Sequence, residues 1–246
     1  MDKLILPDWP MPAGVKACST TRHGGISASP YDSLNLGTHV GDITTNVVAN
    51  RQRLVEQAGL PQMPVWLEQV HGTRVLHLDG KAVSDVQADA VYSRVAGQVC
   101  AVMTADCLPV LFCSLAGDEV AAAHAGWRGL CAGVLEQTLV QFNAAPSSII
   151  AWLGPAIGPQ QFEVGEDVKQ AFSDIDVQSA AAFIPSIPSG SKYLADIYSL
   201  ARLRLQAAGI HAVYGGDHCT VSEKQQFFSY RRDGITGRMA SLVWLI

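Results

Sequence analysis

Three short apolar runs crowd into residues 99–124, and they limit what this chain can fold into more than any other feature. Val99–Met103, Val110–Cys113 and Val120–His124 are rich in β-branched and small residues, the composition of buried strands. Leu115-Ala116-Gly117-Asp118 reads as a turn, so the second and third runs are expected to pair as an antiparallel hairpin.

Helical spacing covers 46–58 and stops at Gly59, as a helix C-terminus should. Val65–Val70 reads as a strand closed by His71-Gly72. A helix is expected from about Gly129 to Phe142, a strand ending at 151–154, helices near 163–172 and 195–208, and a last strand in ASLVWLI. Pro185, Pro188, Gly190 and Ser191 mark a short loop. No repeat, low-complexity tract or long linker divides the sequence, so residues 1–246 are expected to form one domain. Hairpins mixed with helices predict an α+β class and not a repeating βαβ pattern.

The net charge of -5 gives no general attraction to nucleic acid or to an anionic membrane. No apolar run approaches a bilayer span, and MDKLILPDW does not read as a signal peptide, so the expected location is the cytoplasm. The six cysteines lack the regular spacing of a disulfide scaffold and are expected to be free thiols, mostly core fillers.

Cys107, in TADCLPVLFC, has three readings: a filler, a nucleophile or a metal ligand. Pairing Cys113 with Glu119 across the turn carries Cys107 to about Ala125 and sets His124 opposite Leu108. Facing residues have Cβ atoms about 4.5–5.5 Å apart, so a small bulge would bring the thiol and imidazole together. Pro109 is expected to release the backbone after the cysteine. A Cys/His pair can attack a carbonyl, with Asp106 or another acid orienting the imidazole. It can also hold zinc, given a third ligand. His71, at a strand end and followed by a glycine, is the candidate third ligand, and a His/Cys/His set leaves a fourth position open.

Other polar clusters stand apart. Arg22 lies in a glycine-flanked basic loop, and His39 shares a loop with Asp42. FFSYRRDGITGR contains three arginines, Arg231, Arg232 and Arg238, whose guanidinium forks suit phosphate or carboxylate, although no phosphate-loop spacing is present. Trp127 is placed either to stack on a planar ligand or to anchor the following helix.

TRHGGIS with SLNLGTHVGD, WLEQVHG, TADCLPVL, AAAHAGWRGL, WLGPAIGPQQFEVG and FFSYRRDGITGRMA occur in order from about Thr20 to the C-terminus. Together they resemble the YfiH family, whose members are called multicopper polyphenol oxidase, laccase-domain protein or purine nucleoside phosphorylase. The resemblance implies one cytosolic domain of mixed β-sheets flanked by helices, with zinc held on His71, Cys107 and His124. It also implies phosphorolysis of adenosine, inosine, guanosine and methylthioadenosine, together with adenosine deamination, so the expected partners are a purine nucleoside and phosphate.

Phosphorolysis needs an anion site, for which Arg22, Arg231 and Arg232 are the candidates, with Asp106 as an acid/base or a support for the metal ligands. His39 and Trp127 are assigned to substrate binding. Two further activities attach to the family: copper-dependent polyphenol oxidation and hydrolysis of wrongly built peptidoglycan precursors. Copper is the alternative metal, because a soft His/Cys/His set also accepts it. The seven histidines, however, are scattered and form no His-X-His pair.

Overall fold

The three apolar runs do form strands, but they divide between two sheets. In the computed structural model, which describes residues 4–186 and 191–246, the elements follow in chain order. They are β1 (Leu4–Ile5), β2 (Val15–Thr20), α1 (Thr44–Ala58), β3 (Val75–Leu78), β4 (Ala90–Ser93), β5 (Val99–Thr104), β6 (Leu108–Ser114), β7 (Val120–Ala125), α2 (Trp127–Ala132), α3 (Val134–Leu139), β8 (Ile149–Leu153), β9 (Glu163–Gly165), α4 (Glu166–Ser173), β10 (Phe183–Pro185), β11 (Lys192–Ala195), α5 (Ile197–Ala207), β12 (Ala212–Gly215), α6 (Tyr230–Asp233) and β13 (Met239–Leu245). A six-stranded mixed sheet has the order β12-β8-β6-β7-β4-β3, a four-stranded sheet the order β1-β2-β13-β5, and a small sheet the order β10-β11-β9.

Layering follows from alternation along the strands. On β6, Leu111 and Cys113 pack against Val15, Ala17, Val102 and Val243 of the four-stranded sheet. Val110 and Phe112 point the other way, onto Leu135 of α3 and Leu200 and Ala201 of α5. Both faces are therefore buried, which explains an unbroken apolar strand. Burying side chains such as Leu111 and Phe112 stabilises by about 1.5–3 kcal/mol each. Leu54 of α1 covers the outer face of the four-stranded sheet beside Leu34, Leu36 and Leu242. The result is α+β, with mixed sheets flanked by helices. No helix among the described residues is long and apolar enough to cross a membrane.

Several expectations shift. The hairpin register is one residue off: Cys113 pairs with Val120, Pro109 with His124, and Leu108 with Ala125. The Ser114 hydroxyl accepts from the backbone N–H groups of Asp118 and Glu119, and Ser114 N–H donates to the Glu119 carbonyl, so 114 and 119 close the loop. Pro109 lies inside β6, its carbonyl accepting from Gly154 N–H, and does not release the backbone.

The expected strand at 65–70 contributes only a single bridge, Glu68 with Gln87. The Gln69 side chain instead makes two hydrogen bonds to the Met103 backbone. The helix expected at 129–142 is broken into α2 and α3 by Gly133, whose φ of 99° is left-handed. Pro185 ends β10, whereas Pro188 and Gly190 of the expected loop lie outside the described residues.

Candidate metal centre

Between β5 and β6 the chain passes from one sheet to the other through Ala105-Asp106-Cys107. Asp106 takes a φ of 90°, a conformation costly for a residue with a side chain, and the surroundings hold it there. Its carboxylate accepts from Thr220 Oγ1 at 2.6 Å and from Arg231 N–H at 2.6 Å, and its carbonyl accepts from Ile157 N–H. Cys107 therefore emerges at the edge where the two sheets meet.

In the observed register Cys107 faces Gly126, and His124 is its diagonal neighbour on β7. A Cβ at position 126 would lie 2.9 Å from His71 Cδ2 and 3.0 Å from Cys107 Sγ, so only glycine leaves the cluster its space. His71 arrives on the loop after Gln69, with a φ of 61°. The ligand atoms of His71, Cys107 and His124 lie within 4.8 Å of one another, and His71 Nε2 is 3.9 Å from Cys107 Sγ. A tetrahedral ion with bonds of roughly 2.0–2.3 Å holds its ligand atoms roughly 3.3–3.8 Å apart, so a small contraction suffices. The donor set, two imidazoles and a thiolate, suits a borderline-soft cation. This group can hold a metal ion.

One residue organises the cluster without belonging to it. Fully buried Asp89, immediately before β4, accepts His124 Nδ1 at 2.9 Å on Oδ1. Oδ1 also accepts His71 N–H, while Oδ2 accepts the N–H groups of Gly72 and Val70. The Asp89 carbonyl accepts His124 N–H as well. The bond to Nδ1 fixes the His124 tautomer and leaves Nε2 free for a ligand. Burial works against charge on Asp89, but His124 and the Gly72 and Val70 N–H groups outweigh it and hold the carboxyl below its ordinary range.

Electrostatics favour a thiolate. Burial opposes charge on Cys107, yet neighbouring His124 and His71 lower its pKa. For His124 burial acts downwards, and Cys107 and Asp89 raise it. Burial alone pushes the Cys18 and Cys113 thiols up to about 12, so these two are inert fillers.

Two cavities meet at the cluster, with His71 and Cys107 lining both. The larger, about 820 Å³, also exposes His124, His39, Arg51, Trp66 and Arg238. The smaller, about 260 Å³, is walled by Trp127, Phe162, Ile157, Tyr230 and Arg231. Arg128 lies over the Trp127 ring at 4.6 Å and occupies one of its faces.

Of the other candidates, His39 reaches the large cavity, and Trp127, Asp106 and Arg231 reach the small one. Arg231 also donates to the Glu163 carbonyl and packs over Phe162. Arg22 and Arg232 line neither cavity. Arg22 donates to the carbonyls of Asp32 and Lys224, while Arg232 donates to those of Thr220, Val221 and Phe227 and pairs with Asp233. Their guanidinium groups hold loops together. Sequence reasoning did not single out Asp89 or Arg51, which no motif marks, and counted Arg238 among the arginines of FFSYRRDGITGR suited to phosphate without choosing it for the anion site.

Residues 16–246 match a family model described as multi-copper polyphenol oxidoreductase laccase. Purine nucleoside phosphorylase YfiH of Escherichia coli (strain K12) is 61% identical over 246 residues, 100% of both chains. A purine nucleoside phosphorylase of Haemophilus influenzae is 55% identical over 240 residues, 98% of each chain. Among solved structures, a Neisseria meningitidis protein superposes with a TM-score of 0.94 at 53% identity, covering 99% of both chains. YlmD of Geobacillus stearothermophilus gives 0.85 at 35% identity, covering 99% of this chain and 96% of its own.

Proposed function

The chain belongs to the YfiH family, and from that premise we propose that it is a zinc-dependent purine nucleoside phosphorylase. Its substrates are adenosine, inosine, guanosine and methylthioadenosine, and it also deaminates adenosine. The observation that carries this reading is the His71/Cys107/His124 cluster, open on one side to both cavities. The purine nucleoside phosphorylase names of the full-length relatives support it.

Zinc on these three residues would supply Lewis acidity where the two cavities meet. Asp89 holds His124 in the tautomer that can bind it, and the same carboxylate clips the His71 loop in place. Trp127, Phe162 and Tyr230 offer flat apolar surface for a purine in the smaller cavity. Asp106 acts as a positioning residue, because its oxygens are taken up by Thr220 and Arg231.

In phosphorolysis a phosphate oxygen bonds to the anomeric carbon as the bond from that carbon to the purine nitrogen breaks. The bonding pair leaves on the base, and the proton of hydrogenphosphate ends there, giving ribose 1-phosphate and free base. Deamination consumes adenosine and water and gives inosine and ammonia. The described residues hold one three-ligand group, whereas an oxidase built on several coppers needs more than one.

Incubation of metal-loaded protein with a nucleoside panel, with and without phosphate, tests the reading. Free base and ribose 1-phosphate should appear only with phosphate, and ammonia from adenosine without it. A zinc-loaded sample that turns over no nucleoside would refute it.

A further inference from the structure

Two arginines, Arg51 and Arg238, line the larger cavity beside His39 and Glu68. Arg51 comes from α1 and Arg238 from the residue before β13; both are half-buried, and both line the wall beside the metal ligands. Among the described residues neither takes part in an ion pair. Arg51 donates through Nε to the Leu36 carbonyl and lies 4.3 Å over the Trp66 ring. Arg238 donates through Nη1 to the carbonyls of Thr236 and Gly237. The acceptors that hold each guanidinium are neutral, and Arg238 also lies in the field of Cys107 and Asp106 without pairing to either.

Gly37 keeps a third polar group, His39, close. A Cβ at that position would sit 2.8 Å from Arg238 Cγ and 3.5 Å from His39 Cε1. His39 is held below its ordinary range by burial and by both arginines, which places all three groups in one field. Burying cationic charge away from water without a counter-charge is costly, and a fork of N–H donors matches tetrahedral oxyanions.

We propose that Arg51 and Arg238, with His39 beside them, form the binding site for the phosphate dianion in the larger cavity. This rests on the phosphorylase reading for its role, though not for its existence as an anion site. It moves that site from Arg22, Arg231 and Arg232 to the far side of the His71–Cys107 wall. Phosphate and purine would then occupy the two cavities that meet at His71 and Cys107.

The test has two arms. In steady-state phosphorolysis, Arg51→Gln and Arg238→Gln should each raise the KM for phosphate about tenfold to a hundredfold while the nucleoside KM stays within about twofold. Arg53→Gln, an exposed charge removed from the same helix, should change neither. Arg51→Lys and Arg238→Lys, which keep the charge, should recover part of the loss. In the second arm, phenylglyoxal modification of the unmutated protein is followed by peptide mass, and inorganic phosphate should slow it at Arg51 and Arg238.

Protection without nucleoside turnover would leave the anion site standing and overturn the phosphorylase reading. Turnover with unchanged phosphate KM in both glutamine variants, or turnover without protection, would overturn the anion site. An equal rise in both KM values would mark general collapse of the cavity and count against it too. Should a variant fail to fold, the protection arm decides.

Discussion

Replacing Asp89 with Asn tests the organisation of the metal centre at almost constant volume. The carboxylate spends Oδ1 on His71 N–H and His124 Nδ1, and Oδ2 on the N–H groups of Gly72 and Val70. An amide keeps one oxygen. On the Oδ2 side its NH2 group would confront two N–H donors. On the Oδ1 side it would confront His71 N–H and force His124 to accept at Nδ1, which protonates Nε2.

The first arrangement leaves two donors unanswered, about 1–3 kcal/mol each where buried. With the loop partly exposed, the expected loss is about 2–4 kcal/mol, a fall in Tm of roughly 4–16 °C for a chain of this length. The second arrangement removes a ligand lone pair, so metal affinity should drop roughly 10–100-fold. Thermal unfolding of metal-free protein reads the first effect, and competition with a chromophoric chelator reads the second.

The Asp89 carboxyl is held below its ordinary range in the folded protein, so its contribution is complete above that range and disappears as pH falls through the lowered value. The gap between parent and variant should therefore close on acidification. A variant that melts within about 1 °C of the parent and competes equally for metal would refute the reasoning.

Cys107→Ser should strip the metal, lowering zinc from about one per chain in an elemental analysis, whereas a purely nucleophilic cysteine would leave metal bound. Gly126→Ala meets His71 Cδ2 at 2.9 Å and Cys107 Sγ at 3.0 Å without backbone strain. It should weaken metal retention against a chelator while circular dichroism stays unchanged, and undiminished retention would contradict the packing argument. In metal-free protein at pH 7, iodoacetamide should alkylate Cys107 far faster than Cys18 or Cys113, because its neighbours lower the first thiol and burial raises the others. Peptide mapping that finds all three equally slow would count against the thiolate.

The sequence carried the strands and the three candidate ligands further than it carried their support. Continuous apolar runs announce doubly covered strands, because alternation fails only when both faces are buried. The register slipped by one because the loop closes between Ser114 and Glu119, through the backbone and the Ser114 hydroxyl together, and not between Cys113 and Glu119. Asp89 escaped notice because a carboxylate at the start of a strand normally faces water, and only tertiary packing shows it accepting four donors. Arg51 resembled a solvated helix residue. Arg22 and Arg232 looked like anion binders in glycine-flanked loops, but each pairs with an aspartate, Asp32 or Asp233, and neither lines a cavity. Which arginines are spare depends on contacts across distant segments, and local pattern does not encode that.

The His71 loop is fastened to both large sheets, through Gln69 to Met103 of β5 and through Asp89 to the start of β4. Cys107 sits where the chain crosses between them, and His124 is the penultimate residue of β7 in the six-stranded sheet. A metal ion there would add a cross-brace between two layers joined by apolar contact and by these few hydrogen bonds. By linkage, whatever stiffens the seam tightens the ion, and the ion stiffens the seam by the same free energy. Metal affinity in this fold is therefore also a gauge of how well its two sheets are seated on each other.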